Sequence, residues 1–356
     1  MPLLRLEVEN VRCIERAALQ LDPRCNYIFG PNGAGKTSLL EGVHLLGRGR
    51  SFRTRQTARL VRHGAAGLAV RGELDRSAGK HQVGVGFRQG QLSLRVDGRD
   101  AAGIGELAAL VPVYVIDPKL HQLIEAGPSM RRRFLDWGVF HVEHNFLDIW
   151  RQYRRALGQR NAALKTRADP GTTDVWTRKL AELGERLDSA RQRYVESLSE
   201  MLGGIGAALL GGALEVGYRP GWRRGLSFEE ALQRARDRDR TTGITSVGPH
   251  RADLDVRMRG ASVDVAASRG EQKLVVAALV LAQVRLWEQS TGDRGILLVD
   301  DPGAELDAGA LDRLMQEVGN VRAQLLVTGL SVGDLRPVSG YPMFHVEQGR
   351  VEPQVV

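Results

Sequence analysis

The sequence predicts an α/β fold in which both ends of the chain build one parallel sheet and the middle forms a helical lobe. Three observations support this expectation. An apolar strand near residue 25 runs directly into a glycine-rich turn and then a helix. The last third alternates helical and strand patterns, which is typical of a mostly parallel sheet. Between these ends, apolar residues recur at a spacing of three and four, which indicates amphipathic helix.

The composition is that of a globular protein, with 42% hydrophobic and 26% charged residues among 356. The longest apolar run, from Leu274 to Ala282, is nine residues, whereas a helix across a bilayer needs about 18. The only cysteines are Cys13 and Cys25. This count argues against a disulfide framework or a cysteine zinc site and favours the reducing cytoplasm.

The net charge is +8, and 44 of the 50 basic residues are arginine. Guanidinium groups match phosphate oxygens, so the excess is consistent with a phosphate-rich partner. A GC-rich genome explains the preference for arginine over lysine equally well. Net charge alone does not distinguish nucleic acid from an anionic membrane surface.

The first third has strand patterns. Alternating apolar residues predict strands at 4–8 and at 83–96, the second a hairpin that turns at Gln89-Gly90. Apolar segments at 25–29 and 111–116 predict buried strands. The sheet is therefore expected to begin before the helical region.

The middle of the chain changes period. Residues 129–167 are helical and basic, and residues 173–202 form an amphipathic stripe after a turn at Asp169-Pro170-Gly171. A glycine-rich segment, 203–217, is expected to return the chain to strands near 254–256. The last elements are a helix at 271–289, a strand at 296–299, a helix at 307–318 and a strand at 324–328. We therefore predict a discontinuous head of residues 1–120 and 241–356, with a helical lobe of residues 121–240.

Residues 30–37 fit the pattern G-x-x-x-x-G-K-[ST] at every fixed position. The glycines let backbone N–H groups surround phosphate oxygens, and the following helix adds its positive dipole end. A chance glycine-rich turn is the alternative, but the flanking strand and helix and the rarity of lysine argue against it. Lys36 is expected to bind the β- and γ-phosphates, and Thr37 to bind Mg²⁺. The predicted nucleotide-binding residues are Gly30, Pro31, Asn32, Gly33, Ala34, Gly35, Lys36, Thr37 and Ser38.

Four apolar residues, 296–299, precede Asp300 and Asp301. A buried strand that ends in carboxylates is typical of a Walker B element. We assign Asp300 to the Mg²⁺ ion and Asp301 to the general base that orients or deprotonates the attacking water. Many strands end in aspartate, so the assignment depends on the accompanying P-loop.

Ser268-Arg269-Gly270-Glu271-Gln272-Lys273 opens a helix shortly before Asp300. Locally it predicts no more than a helix with a serine N-cap. The order of P-loop, long insert, Ser-x-Gly helix and Walker B strand nevertheless resembles that of ABC ATPases. In those proteins the signature helix of one subunit covers the γ-phosphate held by the other.

Further segments, covering residues 2 to about 330, resemble the RecF family of bacterial DNA replication and repair proteins, which are related to SMC ATPases. They are Asn10-Val11-Arg12, 49–53, 127–136, 153–161, 248–251 and Glu305-Leu306-Asp307. The sequence departs from the family pattern at Glu271, where glutamine is expected, and at Pro118-Lys119. Ala252 stands where the family often has aspartate. Thr328-Gly329 replaces a switch histidine, which leaves the γ-phosphate sensor and the Q-loop unassigned.

The resemblance implies an ABC/SMC-like P-loop ATPase head with an inserted α-helical lobe. It implies a homodimer that sandwiches ATP and Mg²⁺ and clamps gapped or junction double-stranded DNA during recombinational repair and replication restart. RecO and RecR are the implied partners in loading RecA, and slow, DNA-stimulated hydrolysis would release the clamp. The residues it implies are Arg12 near the nucleotide, Ser268, Gly270, Glu271 and Gln272 acting in trans, and Glu305 and Asp307 in the D-loop.

Two basic clusters are candidates for DNA contacts. Residues 47–63 contain six arginines and no acid, and residues 131–167 contain nine basic and three acidic residues. Such clusters give sequence-independent affinity for phosphates, although any single arginine taken alone is better explained as solvated or paired with a nearby carboxylate. With few aromatic residues, base stacking is not expected. The candidates are Arg48, Arg50, Arg53, Arg55, Arg131, Arg132, Arg154 and Arg155.

Three other functions fit parts of the sequence. A transporter ABC subunit would have a shorter insert, a Q-loop and a switch histidine. Another SMC-like head would need a long coiled coil, and a small-molecule P-loop kinase would leave the signature and basic clusters unexplained. His141, Glu143 and His144 have no spacing typical of a metal site.

Overall fold

The chain divides into two units, one made from both of its ends and one from its middle. The computed structural model describes residues 2–54, 56–76, 79–304, 306–335 and 340–354. The end unit comprises residues 1–120 and 287–356, and the middle unit comprises residues 121–286. The α/β fold expected from the sequence is confirmed.

Strands predominate in the first third of the described chain, and long helices follow in its middle. The strands are β1 (Leu3–Val11), β2 (Ile14–Gln20), β3 (Cys25–Phe29), β4 (Gly67–Arg76), β5 (Gly79–Arg88), β6 (Gln91–Val96), β7 (Arg99–Asp100), β8 (Val113–Ile116), β9 (Leu214–Arg219), β10 (Asp253–Met258), β11 (Ala261–Ser262), β12 (Ile296–Val299), β13 (Gln324–Gly329), β14 (Met343–Glu347) and β15 (Arg350–Gln354). The helices are α1 (Lys36–Arg48), α2 (Ile104–Leu110), α3 (Gln122–Glu125), α4 (Pro128–Val142), α5 (Phe146–Lys165), α6 (Pro170–Leu210), α7 (Phe228–Arg234), α8 (Arg236–Thr242), α9 (Val263–Ala266), α10 (Arg269–Thr291), α11 (Ala308–Gly319) and α12 (Val332–Leu335).

The end unit contains a six-stranded sheet in the order β15-β14-β3-β13-β12-β8. Its neighbours from β14 to β8 are parallel, and only β15 pairs antiparallel, at the edge. All residues of β3 and β12 are buried, which explains why both segments are continuous apolar runs rather than alternating patterns. The carboxyl ends of β3, β13, β12 and β8 therefore meet along one edge of this sheet.

A second sheet in the end unit, β2-β1-β4-β5-β6-β7, is antiparallel. Helix α1 contacts strands of both sheets. Leu39, Leu40, Val43 and Leu46 on α1 are fully buried and belong to the core between the sheets. The hydrophobic core thus fixes α1, and with it the loop that precedes α1.

The middle unit is mainly helical. Helices α5 and α6 pack together, and α6 also packs on β9 of a three-stranded antiparallel sheet, β11-β10-β9. Tyr153, in α5, shares a hydrogen bond of 2.7 Å with His250 Nδ1. Arg191, in α6, donates to the Pro249 carbonyl at 2.6 Å. The family-like segments 153–161 and 248–251 are therefore joined inside this unit.

Two sequence expectations differ from the structure. The second boundary lies inside α10, at Trp287 rather than at residue 241. The reason is that β10 pairs with β9 over six residues, which keeps the chain after residue 241 in the middle unit. In addition, α6 continues to Leu210, through glycines that we expected to end the helix, because Ile205 and Leu209 are fully buried.

Candidate nucleotide-binding site

The P-loop joins β3 to α1. Gly30 has φ +149°, and a Cβ there would lie 2.1 Å from the Val346 carbonyl oxygen, so only glycine fits. Gly35 has φ +122° and immediately precedes α1. Pro31, Asn32 and Gly33 are exposed, whereas residues 34–36 and 38 are buried. The loop is thus anchored at both ends and open at its tip, as a phosphate cradle requires.

Lys36 lies at the first turn of α1. Its Nζ donates to the carbonyl oxygens of Gly30 at 2.6 Å and Pro31 at 3.0 Å. Burial lowers the pKa of Lys36, while the charges of Asp301 and Asp300 act in the opposite direction. The ammonium group is consequently held over the loop, beside two carboxylates, where a phosphate would supply further negative charge.

Asp300 follows β12, and its carboxylate is next to Thr37. Thr37 Oγ1 is 3.0 Å from both carboxylate oxygens of Asp300. Burial is the largest cause that raises the pKa of Asp300, and hydrogen bonds from Thr328 and Thr37 oppose it. The two side chains predicted to hold Mg²⁺ are therefore brought together across the sheet, and a hydroxyl and a carboxylate are oxygen donors that suit this ion.

Thr328 lies near the end of β13, the strand that separates β3 from β12. Its hydroxyl donates to Asp300 Oδ1 at 2.8 Å and accepts from the Asp301 backbone N–H at 2.9 Å. Asp301 has φ +45°, a left-handed conformation that is uncommon outside glycine but that aspartate adopts more readily than most residues. In the sequence Thr328 stands out only as a replacement for histidine, yet its hydroxyl bonds both Walker B residues.

Asp117 is a second residue near the nucleotide site that the sequence analysis did not identify. It follows the apolar strand β8, which pairs in parallel with β12 so that Ile116 is opposite Val299. Burial first, and the charge of Asp300 second, raise the pKa of Asp117 to about 6, and Arg53 acts to lower it. The signal was present in the sequence, since an apolar run ending in aspartate is the same pattern that identified Asp300.

Arg12 has φ +58° and lies in the turn between β1 and β2. Its guanidinium forms a two-point ion pair with Glu41 of α1, at 3.0 Å from each carboxylate oxygen. It also donates to the Arg59 carbonyl at 2.9 Å. Glu41 is completely buried, so Arg12 is fixed against the P-loop helix, consistent with the position beside the nucleotide that the family resemblance implies.

The signature residues belong to the middle unit. Ser268 Oγ accepts from the Glu271 backbone N–H at 3.3 Å, and Glu271 Oε2 accepts from the Ser268 N–H at 3.0 Å. This reciprocal pair is a capping box for α10. Ser268 is exposed, whereas Gln272 is 6% exposed and donates to the Ala267 carbonyl. Gln272 is therefore turned inward and is poorly placed to act in trans.

The D-loop positions are only partly described. Glu305 lies outside the described residues. Asp307 is the N-cap of α11, where its side chain accepts from the Ala310 N–H at 2.9 Å. Its visible role is thus to begin a helix.

The arginine candidates for DNA contacts separate into half-buried and exposed groups. Arg131 forms a two-point ion pair with Asp253, at 2.8 and 2.9 Å, and Arg132 donates to the Ala252 carbonyl at 2.7 Å. Arg48 is half-buried, and burial lowers its pKa. These three guanidinium groups serve the interior, which corrects their assignment as DNA contacts. Arg55 lies outside the described residues. Arg50, Arg53, Arg154 and Arg155 are exposed.

The strand order, the P-loop, and the Thr37–Asp300 pair at the carboxyl edge of the sheet define the chain as a P-loop ATPase head of the ABC/SMC type. A family model described as the RecF/RecN/SMC N terminal domain matches residues 2–349. The chain belongs to the RecF family.

Two relatives illustrate this membership. The DNA replication and repair protein RecF of Xanthomonas euvesicatoria pv. vesicatoria (strain 85-10) is 40% identical over 364 residues, 99% of each chain. The protein of that name from Edwardsiella ictaluri (strain 93-146) is 37% identical over 358 residues, again 99% of each chain.

Two solved structures have folds similar to that of this chain. The recombination mediator protein RecF-ATP in the RecFOR pathway matches with a TM-score of 0.89 and 26% identity, covering 99% of this chain and 98% of that chain. An Smc head bound to the C-winged helix domain of ScpA has a TM-score of 0.61 at 16% identity, covering 99% and 97%, and shows the fold alone. Among the described residues, no helix is long and apolar enough to cross a membrane.

Proposed function

We propose that this protein is an ATP-dependent DNA-binding protein that acts as a clamp in recombinational repair and replication restart. Two copies would sandwich ATP and Mg²⁺, close on gapped or junction duplex DNA, and separate after slow hydrolysis. The observation that carries the proposal is the contact of Thr37 with Asp300 beside the buried Lys36. That geometry provides for the triphosphate and for a divalent ion in one place.

The end unit would hold the nucleotide through its own side chains. Lys36 would exchange its two carbonyl partners for β- and γ-phosphate oxygens, and α1 would direct its N-terminus at the phosphates. Thr37 and Asp300 would hold Mg²⁺, which neutralises the charge that develops on the phosphates. Asp301, fixed by its N–H bond to Thr328, would orient the attacking water.

Dimerisation is supported by the open face at the start of α10. A Cβ built on Gly270 would meet nothing within 4 Å, and the backbone there does not have positive φ. Neither packing nor backbone conformation within the described residues of this chain therefore requires glycine at that position. Close approach of a second molecule is a physical reason for it. The exposed Ser268 hydroxyl beside it donates to Glu271 Oε2 at 3.1 Å and would turn to donate to a γ-phosphate.

DNA binding is supported by exposed arginines on α5. Arg154 and Arg155 are exposed, and the Arg154 guanidinium lies 5.5 Å from the centre of the Trp150 ring. Arg151 on the same helix is exposed as well. Three guanidinium groups on one helix suit the phosphate backbone of duplex DNA, without reading its sequence.

The partners follow from family membership. We propose RecR, together with RecO, as the proteins with which this chain promotes RecA loading on strands coated by single-strand-binding protein. RecA assembly on coated gapped DNA, with RecO and RecR present, is the measurement. Omitting this chain should slow assembly, and equal rates with and without it would contradict the partnership.

The dimer is tested by sedimentation with and without ATP and Mg²⁺. Ser268→Arg should block dimerisation while ATP still binds, because the long side chain fills the face that must approach the other copy. Lys36→Arg should weaken the coupling of ATP to dimerisation. Ser199→Arg, at an exposed serine on α6, is the matched control and should dimerise normally. Unchanged dimers of Ser268→Arg would contradict the sandwich.

DNA binding is tested by fluorescence anisotropy of labelled gapped duplex over a range of salt concentrations. Binding should tighten with ATP and Mg²⁺ and weaken as salt rises. Replacing both Arg154 and Arg155 by alanine should reduce the salt slope by about 2 for each protomer in contact. Arg178→Ala, an exposed arginine on α6, is the control. Equal and weak binding with and without ATP would contradict the clamp.

A further inference from the structure

The signature face contains an anion that a nucleotide sandwich must accommodate. Glu271 is on the first turn of α10, and its carboxylate accepts from the Ser268 N–H at 3.0 Å and from the Ser268 hydroxyl at 3.1 Å. The N–H bond is the largest cause that lowers the pKa of Glu271, and the Ser268 hydroxyl and the charge of Arg259 also lower it. Glu271 is therefore negatively charged at neutral pH, directly beside the hydroxyl proposed to meet a triphosphate.

This arrangement would oppose closure if the carboxylate stood alone. Two anionic groups brought together at an interface repel strongly once water is excluded. The α10 dipole offsets only part of a unit charge. A cation close to Glu271 is therefore needed for the face to approach a bound triphosphate.

Arg259 provides that cation. It lies in the turn between β10 and β11 with φ +53°, and Gly260 follows with φ +78°, a pair typical of a tight hairpin turn. Its Nη1 is 3.5 Å from Glu271 Oε1, although the two side chains are 64% and 33% exposed. An exposed pair of this kind contributes little to folding stability, so stability does not account for a bulky arginine in a left-handed turn position.

The neighbouring charges have other partners. Arg269 Nε lies 3.9 Å from Glu125 Oε1, and Arg257 Nε lies 3.2 Å from Asp255 Oδ2. Asp264 accepts from the Ser262 hydroxyl at 2.6 Å. In the described part of the middle unit, Arg259 is thus the cation that forms an ion pair with Glu271.

We infer that Arg259 is a positioning residue of the ATP-dependent dimer: its guanidinium neutralises Glu271, so that the Ser268–Gly270 face can approach the triphosphate held by a second copy. The inference rests on the proposed function.

The test is a double-mutant cycle on dimerisation, measured by sedimentation with ATP and Mg²⁺. Arg259→Asn is the suitable variant because asparagine tolerates positive φ. It should weaken the dimer about tenfold at each of two equivalent sites, and hence about a hundredfold in the dissociation constant. Arg259→Lys should stay near the unaltered protein. Arg257→Asn, an exposed arginine on β10 paired elsewhere, is the control.

The decisive measurement is Arg259→Asn combined with Glu271→Gln. If Arg259 acts by neutralising Glu271, the double variant should dimerise within about threefold of Glu271→Gln alone. Binding of a fluorescent ATP analogue to dilute monomers should be unchanged throughout.

Two results would overturn the inference while leaving the proposed function intact. One is an Arg259→Asn variant that dimerises like the unaltered chain. The other is an equal loss in the Glu271→Gln background. Failure of the unaltered chain to dimerise with ATP would overturn the proposed function and this inference together.

Discussion

Replacing Thr328 by valine should selectively weaken the metal-dependent part of ATP binding. Valine matches threonine in shape, so the fully buried site loses its hydroxyl without gaining a cavity. Asp300 then loses its 2.8 Å hydrogen bond, and the Asp301 N–H loses its acceptor. Burial already raises the pKa of Asp300, and removing this donor should raise it further, so the carboxylate becomes both less charged and less firmly oriented.

The magnitude follows from the two bonds. A hydrogen bond to a charged group contributes about 1.5–3 kcal/mol, and one between neutral groups about 1 kcal/mol. If about 2 kcal/mol of this is lost from the orientation of Asp300, affinity for ATP with Mg²⁺ should fall about 30-fold. That value is within the loss of about 10–100-fold that removal of an outer-shell partner typically causes at metal sites.

The assay is a titration with a fluorescent ATP analogue, performed once with Mg²⁺ and once with a chelator. Thr328→Val should lose affinity only in the presence of Mg²⁺, since the P-loop itself is unaltered. Thr328→Ser keeps the hydroxyl and should bind nearly normally. If Thr328→Val binds as tightly as the unaltered chain with Mg²⁺, then Asp300 does not depend on Thr328 for its charge or orientation.

Two further predictions concern the middle unit. Gly138→Ala should destabilise this unit by about 1–3 kcal/mol, because the new Cβ would lie 1.9 Å from Tyr194 Oη. Gly158→Ala, where a Cβ would meet nothing within 4 Å, is the control and should not destabilise the unit. Equal urea midpoints for the two variants would refute the clash. His250 is half-buried, and its partial loss of solvent lowers its pKa to about 4 from the usual 6.5. As the pH falls, the His250 imidazole therefore takes up a proton in the unfolded chain before it does so in the folded chain. The stability that His250 contributes is complete above pH 6.5 and is lost as the pH falls toward 4. Between pH 7 and 5 the free energy of unfolding should fall by about 2 kcal/mol because of His250. In His250→Gln, the free energy of unfolding measured with urea should therefore fall by correspondingly less over this range. An unchanged decrease in the variant would refute the lowered pKa of His250.

The nucleotide site could be predicted from the sequence only where its residues are contiguous. The P-loop and the Walker B aspartates are read from short segments, because a strand followed by a loop fixes the backbone locally. Asp117 also follows a short apolar run and could have been identified in the same way, whereas Thr328 joins the site only through the strand order β3-β13-β12-β8. That order is a property of pairing between distant segments, so no local pattern could reveal that a threonine at residue 328 would bond both Walker B residues.

The helical region shows the converse limitation. Glycines at residues 203, 204 and 206 predicted the end of a helix from intrinsic propensity. The structure extends α6 through them because Gly206 packs against Leu214, where a Cβ would lie 2.8 Å from the leucine Cβ. Close packing on β9 therefore outweighs the cost of the glycines, and propensity alone could not anticipate that contact.

The ion pairs in the structure show that part of the arginine excess serves the fold and is not free to bind DNA. Within the basic segment 131–167, Arg131 is bound to Asp253 and the 1% exposed Arg160 is bound to Asp239. A buried guanidinium that loses its carboxylate is strongly destabilising, so these arginines are constrained by the fold. The charge available to DNA is consequently smaller than the net +8 suggests. The salt dependence of DNA binding should therefore follow the exposed arginines of α5, and replacing buried members of the same segment should change stability instead.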